Sequence, residues 1–160
     1  MNNFIYNIPV KVYFGENQLM HLGPEVKNYG TKVLVTYGGG SIKKIGLYDK
    51  VTHELKQMGL EVYEFGGIEP NPRIESVNAA IALCKEKGIE VILAVGGGST
   101  IDASKVIGAG VYYDGDAWDL VTRKAPIKNA LPLVTILTLS ATGSEMDAGG
   151  VITKLSTNEK

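Results

Sequence analysis

Two stretches of this chain repeat one local design. Val33-Leu34-Val35-Thr36-Tyr37-Gly38-Gly39-Gly40-Ser41-Ile42 and Leu93-Ala94-Val95-Gly96-Gly97-Gly98-Ser99-Thr100-Ile101 each pass from an apolar run through three glycines into a serine and a new apolar pattern. A short run without charge suits a strand covered on both faces, as in a parallel sheet. Three glycines remove every Cβ from the bend, and Ser99 is placed to cap the helix that follows. Strand, bend and helix start leave backbone N–H groups facing open space. Such donors, with the positive end of the helix dipole, attract phosphate. The bend at Gly96, Gly97, Gly98 and Ser99 therefore reads as a pyrophosphate cradle; a tight turn and nothing more is the plainer alternative. In an open parallel sheet these bends lie at the carboxyl ends of strands, where ligands bind. Two of them suit a ligand with two phosphorylated or sugar-bearing parts, unless they are one local turn used twice.

The rest of the pattern alternates. Strands are expected over 32–37, 60–65, 91–95 and 131–139, and helices over 42–58, over 73–87 and from Ser99 onward. Gly59 and Gly88 stand where the helices should stop. Residues 4–6 and 11–14 resemble two short edge strands, 16–29 a weaker helix interrupted by Gly23-Pro24, and 112–125 a loop with one helical turn. Such alternation predicts an α/β fold, a Rossmann-like parallel sheet with helices on both faces. The 160 residues are the size of one domain, residues 1–160 together. Residues 151–154 read as a further strand and 155–160 as the start of a turn. A hairpin lacking its second strand suggests a chain cut within a larger protein.

Composition narrows the partners. A formal net charge of −1 points to neither nucleic acid nor an anionic membrane surface. No apolar run approaches the roughly 20 residues that span a bilayer. The single Cys84 excludes an internal disulfide, and no charged-then-apolar leader precedes Phe4, so a cytoplasmic location is expected.

The chemistry is that of a binding site. Gly96 and Gly98 fit the first two glycines of G-x-G-x-x-G, but Ile101 stands where the third belongs. No Gly-Lys-Ser/Thr closes the loop, which excludes the phosphate loop of kinases and ATPases. His21 and His53 stand alone, without the spacing of a metal or nucleophile site. Asp102, three residues beyond Ser99, is either a capping-box variant or a contact to a ribose or nicotinamide amide. Lys105 is expected to be a solvated residue pairing with Asp102. Asn71, between two prolines, offers a donor and an acceptor on a rigid loop, or simply turns the chain. Thr138, Ser140, Thr142 and Ser144 place four hydroxyls around a glycine turn beyond a buried strand, which favours ligand contact. Trp118 and Tyr112-Tyr113 are expected to pack rather than to stack on a base.

With these residues in view, the sequence resembles the iron-containing alcohol dehydrogenases, in the branch of butanol dehydrogenases and aldehyde reductases. The resemblance runs through the whole chain. It rests on Ile8-Pro9-Val10-Lys11-Val12-Tyr13-Phe14-Gly15, Tyr37-Gly38-Gly39-Gly40-Ser41-Ile42-Lys43-Lys44, Phe65-Gly66-Gly67-Ile68-Glu69-Pro70-Asn71-Pro72, the 96–105 loop, and Leu137-Thr138-Leu139-Ser140-Ala141-Thr142-Gly143-Ser144-Glu145. Thr100 stands where many similar proteins carry proline.

The resemblance implies the nucleotide-binding half of an NAD(P)-dependent enzyme interconverting primary alcohols and aldehydes, with a dehydroquinate synthase-like N-terminal fold. It places the pyrophosphate on Gly96, Gly97, Gly98 and Ser99, and Asp102 near the nicotinamide. It sets Asn71, Thr138, Ser140, Thr142 and Ser144 along the cleft, with Lys160 reaching the cofactor. Iron or zinc would sit in an all-helical second domain absent from this chain, so the chain alone is expected to be inactive and the full-length form a homodimer. A glycerol dehydrogenase or dehydroquinate synthase type, and a nucleotide-binding module without chemistry, are the alternatives. Gly39 and Ser41 stand where an NAD-selecting family member would carry a carboxylate, and Lys43-Lys44 follow, so NADP is expected over NAD, with NAD possible.

Overall fold

Alternation within the strands divides the core into two layers. The computed structural model describes Ile5 and residues 7–160. In β1 (Lys32–Tyr37), Val33, Val35 and Tyr37 face one side and Leu34 the other; in β3 (Val91–Gly96), Val91, Leu93 and Val95 share the first side and Ile92 the second. Both strands are buried on both faces, which is why their sequences read as apolar runs rather than alternating ones. On the first side lie α1 (Leu22–Lys27), α2 (Ser41–Lys44) and α3 (Leu47–Gln57), with Val26, Ile42, Val51 and Leu55 buried. On the second lie α4 (Ile74–Lys87), α5 (Gly98–Gly110) and α6 (Trp118–Val121), contributing Ile74, Val77, Ile81, Ala103, Ile107 and Trp118. Each fully buried Val, Leu or Ile contributes about 1.5–3 kcal/mol.

The four strands are all parallel in the order β2-β1-β3-β4, with β2 at Glu61–Phe65 and β4 at Leu133–Leu137. The chain moves from β1 outward to β2, then returns to the other side of β1 to lay down β3. The order therefore reverses between β1 and β3. At such a switch point the loops leaving adjacent strands diverge to opposite faces and open a crevice at the carboxyl ends. Both glycine turns follow these two strands. The expected α/β fold is the one found.

Several boundaries differ from the sequence reading. The expected helix over 42–58 is two helices, because Gly46 adopts φ 72° and breaks the run between α2 and α3. Gly88, at φ 64°, closes α4 as expected. Gly23-Pro24 does not interrupt the 16–29 stretch: a 3-10 turn, Gln18–His21, runs into α1, with Pro24 in its first turn, where an N–H is not needed. Residues 11–14 form no strand; Lys11 and Tyr13 bond Glu25 at 2.8 Å each, through side chains rather than a backbone ladder. The other expected edge strand, 4–6, lies apart from Ile5 outside the described residues. Residues 151–154 form isolated bridges, Arg73 with Thr153 and Lys154 with Glu159, rather than a strand. No helix among the described residues is long and apolar enough to cross a membrane.

Candidate functional site

The second glycine turn starts where β3 ends. Gly97 precedes α5 as its N-cap, with φ −91° and ψ −169°, and no side chain caps the helix. Ser99 is thus not the cap expected from the sequence but a residue of the first turn. With Gly at the cap, no side-chain oxygen competes for the first donors. Among the described residues, the N–H groups of Gly97, Gly98 and Ser99 have no protein acceptor, and intrahelical bonding begins with Thr100 and Ile101, both to the Gly97 carbonyl. A helix of 13 residues lies behind them. This is an anion cradle by geometry.

The glycines differ in what surrounds them. A Cβ on Gly96 would meet Thr100 Oγ1 at 2.5 Å, and one on Gly98 would meet Thr142 Oγ1 at 2.9 Å and Ser144 Oγ at 3.1 Å. One on Gly97 would find only Leu139 Cβ, at 3.7 Å. Gly96 and Gly98 are therefore needed for packing, and Gly97 is the glycine that keeps the cradle open. In the first turn, a Cβ on Gly39 meets nothing within 4 Å. Ser41 begins α2 beside it and is exposed. The two turns touch through Thr100, whose Oγ1 would be 3.9 Å from a Cβ on Gly38.

Beneath the turns lies a buried hydroxyl pair that the sequence reading missed. Thr36 Oγ1 and Ser104 Oγ are 2.7 Å apart, and Ser104 donates to the Thr100 carbonyl at 2.7 Å. The signal available was a threonine inside an otherwise apolar strand. Buried hydroxyls keep their partners, so this pair fixes β1 and α5, and with them both turns, relative to each other.

The hydroxyl segment beyond β4 comes to the same edge. The Thr138 N–H donates to the Gly96 carbonyl at 3.0 Å, and Thr142 and Ser144 share a hydrogen bond of 2.9 Å beside Gly98. Ser140 is exposed on the same segment. Asn71 and Lys160 form a pair of their own, Lys160 Nζ donating to Asn71 Oδ1 at 2.7 Å across 89 positions of sequence. Asn71 has φ 56°, which asparagine tolerates better than most residues.

Two expectations are corrected. Asp102 does not act in a capping box: its Oδ2 accepts the Val151 N–H at 3.0 Å. Lys105 is not a solvated residue, since its side chain is only 15% exposed. It lies 3.9 Å from Asp102 but donates to Asp147 Oδ1 at 2.8 Å and to the Gly149 carbonyl at 2.5 Å. These partners are more than 40 residues away, beyond the reach of local pattern. Trp118 is buried, as expected, while Tyr112 is exposed.

Beside the first turn stands a carboxylate absent from the sequence reading. Glu64, near the end of β2, accepts from Tyr37 Oη at 2.9 Å and Lys43 Nζ at 3.0 Å. Lys43 also lies over the rings of Tyr37 and Tyr48, at 4.9 and 4.5 Å. The Tyr48 hydroxyl, then Lys43 and Tyr37, hold the Glu64 carboxyl below its ordinary value of 4.5, and burial with Glu64 raises Tyr48 to about 12. A depressed carboxylate contributes stability above its unfolded value and loses it as pH falls through the folded one. Glu64→Gln is thus expected to lower the urea midpoint at pH 7 and to lower it less near pH 3. Because the side chain is 47% exposed, the pH 7 loss should be about 1 kcal/mol or less. Equal losses at both pH values would count against a charge-dependent contact.

Fold and site define a doubly wound parallel α/β domain with two glycine turns flanking its switch point. The chain belongs to the iron-containing alcohol dehydrogenase family, whose model matches residues 9–160. It is 54% identical over its whole length to NADH-dependent butanol dehydrogenase A of Clostridium acetobutylicum, and 44% identical to the NADPH-dependent aldehyde reductase YqhD of Escherichia coli. The crystal structure of NADH-dependent butanol dehydrogenase A from Thermotoga maritima superposes with a TM-score of 0.93 at 46% identity, covering 98% of this chain and 40% of that one. The chain spans 41% of the length of these curated relatives.

Proposed function

We propose that this chain is the dinucleotide-binding part of a metal-dependent NAD(P)H alcohol dehydrogenase that interconverts primary alcohols, such as butanol, with aldehydes. The observation that carries the reading is the row of N–H groups at Gly97, Gly98 and Ser99 without a protein acceptor among the described residues, at a Gly97 whose Cβ direction is open. The names of the butanol dehydrogenases and the aldehyde reductase support it. In this reading the α5 cradle holds the pyrophosphate, the Gly38-Gly39-Gly40-Ser41 turn takes the adenosine side, and Thr138, Ser140, Thr142 and Ser144 line the cleft. Asn71 and Lys160 meet the cofactor as a pair. Asp102 stands near the nicotinamide, its Oδ2 holding the Val151 backbone while Oδ1 keeps acceptor capacity for the cofactor. Hydride transfer is the chemistry a nicotinamide supplies; this chain's residues bind and orient it.

Among the described residues no group of three His, Cys, Asp or Glu side chains could hold a metal ion. In this reading the enzyme uses iron or zinc, and membership of the iron-containing family supports iron. A homodimeric, cytoplasmic enzyme acting on small alcohols and aldehydes, without nucleic acid or membrane partners, completes the proposal.

NADP is the preferred cofactor in this reading, by a few-fold only. The first turn itself carries no acid, the neighbouring Glu64 carboxylate is neutralised by Lys43 and bonded by Tyr37, and Gly39 leaves room. Lys43, however, is committed to Glu64, so Ser41 and Lys44 remain to meet the phosphate. One screened surface contact of about 1 kcal/mol corresponds to roughly fivefold. Relatives with NADH and with NADPH in their names are both similar to this chain. Calorimetric titration of NADH and NADPH tests both levels. Gly39→Asp should weaken NADPH by about tenfold or more and spare NADH. A wild type that prefers NADH refutes the NADP preference, and one that binds neither refutes the function.

A further inference from the structure

Three positions of α5 gather one distant segment of chain. Gly98, Asp102 and Lys105 are spaced i, i+4, i+7, which places them on one face of the helix. Gly98 lies against the Thr142 and Ser144 hydroxyls. One turn on, Asp102 accepts the Val151 N–H at 3.0 Å, and its backbone carbonyl is so close to Gly150 that a Cβ there would come within 3.2 Å. A turn further, Lys105 donates to Asp147 at 2.8 Å and to the Gly149 carbonyl at 2.5 Å. Residues 142–151 are thus fastened to the helix at three successive levels.

The fastening is uneven. At the Gly98 level, among the described residues, the segment meets the helix by packing of Thr142 and Ser144, whose own 2.9 Å hydrogen bond lies within the segment. The strong contacts are the charged ones at Asp102 and Lys105. Lys105 and Asp102 are each only 15% exposed, so their contacts are less screened than those of a surface pair. Asp147, five positions after Thr142, is 57% exposed, and the Lys105 ammonium lowers its pKa.

We propose that Lys105 is a positioning residue of the dinucleotide site. It fixes residues 147–149 on α5 and so sets where the Thr142 and Ser144 hydroxyls stand beside the first turn of the helix. This rests on the reading of the cleft as a dinucleotide site. Lys105 itself touches no phosphate in this account; it acts through the chain it holds. A helical lysine with two acceptors drawn from a distant loop does more than a solvated lysine, because it gives up conformational freedom and hydration that only a defined loop position returns.

The test is calorimetric titration of NADH into the chain and its variants, with amide hydrogen exchange of residues 142–151 followed in parallel. Lys105→Met should weaken NADH by about tenfold and speed exchange in 142–151 while the strands keep their protection. Lys105→Arg, which keeps the charge and donors, should stay within about twofold of wild type. Asp147→Asn, at an exposed position, should give a smaller loss of about threefold and serves if Lys105→Met does not fold. In a Thr142→Ala/Ser144→Ala background, Lys105→Met should cost nothing further, because the groups it positions are gone.

Unchanged NADH affinity in Lys105→Met or Asp147→Asn overturns the positioning role and leaves the dinucleotide site standing. So does an equal loss in the double-alanine background, or a loss accompanied by faster exchange throughout the sheet, either of which marks a merely structural residue. A wild-type chain that binds no dinucleotide overturns the underlying reading, and this inference with it.

Discussion

Gly97→Val leaves the chain folded and weakens NADH and NADPH binding by about a hundredfold or more, the equivalent of roughly 3 kcal/mol. The backbone permits the change, since φ −91° and ψ −169° are extended values that valine favours. The neighbours permit it too, because the new Cβ finds only Leu139 Cβ at 3.7 Å, an ordinary contact. In the proposed cradle, what the side chain would occupy is the space the phosphates need beside the N–H groups of residues 97–99. A pyrophosphate excluded from that space loses several charge-assisted hydrogen bonds together. The measurement is calorimetry on a variant whose thermal midpoint stays within a few degrees of wild type. Wild-type affinity in such a variant would mean that the phosphates bind elsewhere.

Gly96→Ala, one residue earlier, has the opposite signature: a loss of stability of about 2–3 kcal/mol. Gly96 is the last residue of β3 and is buried, with Thr100 folded back over it from the first turn of α5. An added methyl would stand 2.5 Å from Thr100 Oγ1 and 2.8 Å from Thr100 Cβ. The Cβ is fixed to the helix backbone and cannot swing aside, so strand and helix must separate. Thr100→Ala removes the colliding hydroxyl and the Cγ2 methyl but keeps the Cβ at 2.8 Å, so the pair Gly96→Ala/Thr100→Ala should recover only part of the loss. Urea unfolding measures each member of the cycle. Losses that simply add would show that the clash is not with Thr100.

Both glycine turns were visible in the sequence as turns, but their different duties were not. Gly96, Gly97 and Gly98 are identical in sequence. Only the positions of Thr100, Leu139, Thr142 and Ser144 make the first and third packing glycines and leave the second open. The misplaced cap has the same origin. Ser99 has the residue type for an N-cap, yet the helix starts two residues sooner, and Gly97 takes the position. The four hydroxyls from Thr138 to Ser144 were legible as a dense polar cluster beyond an apolar strand. That two of them meet Gly98 depends on β4 lying beside β3.

Local features follow from the residues alone. The uncharged runs in β1 and β3, the glycines after them, and the helical periodicity between strands follow from side-chain alternation and backbone freedom over a few residues, so they can be read without a partner. Tertiary structure alone decided which elements are neighbours. It placed β1 and β3 side by side in parallel, so that two turns some 60 residues apart in register, as Thr36 is from Ala94, share one crevice. It gave Asp102 to Val151, Lys105 to Asp147 and Glu64 to Lys43. A charged side chain has many acceptors or donors it could satisfy, and the one it meets is set by how the chain closes loops of tens of residues. No local pattern carries that choice.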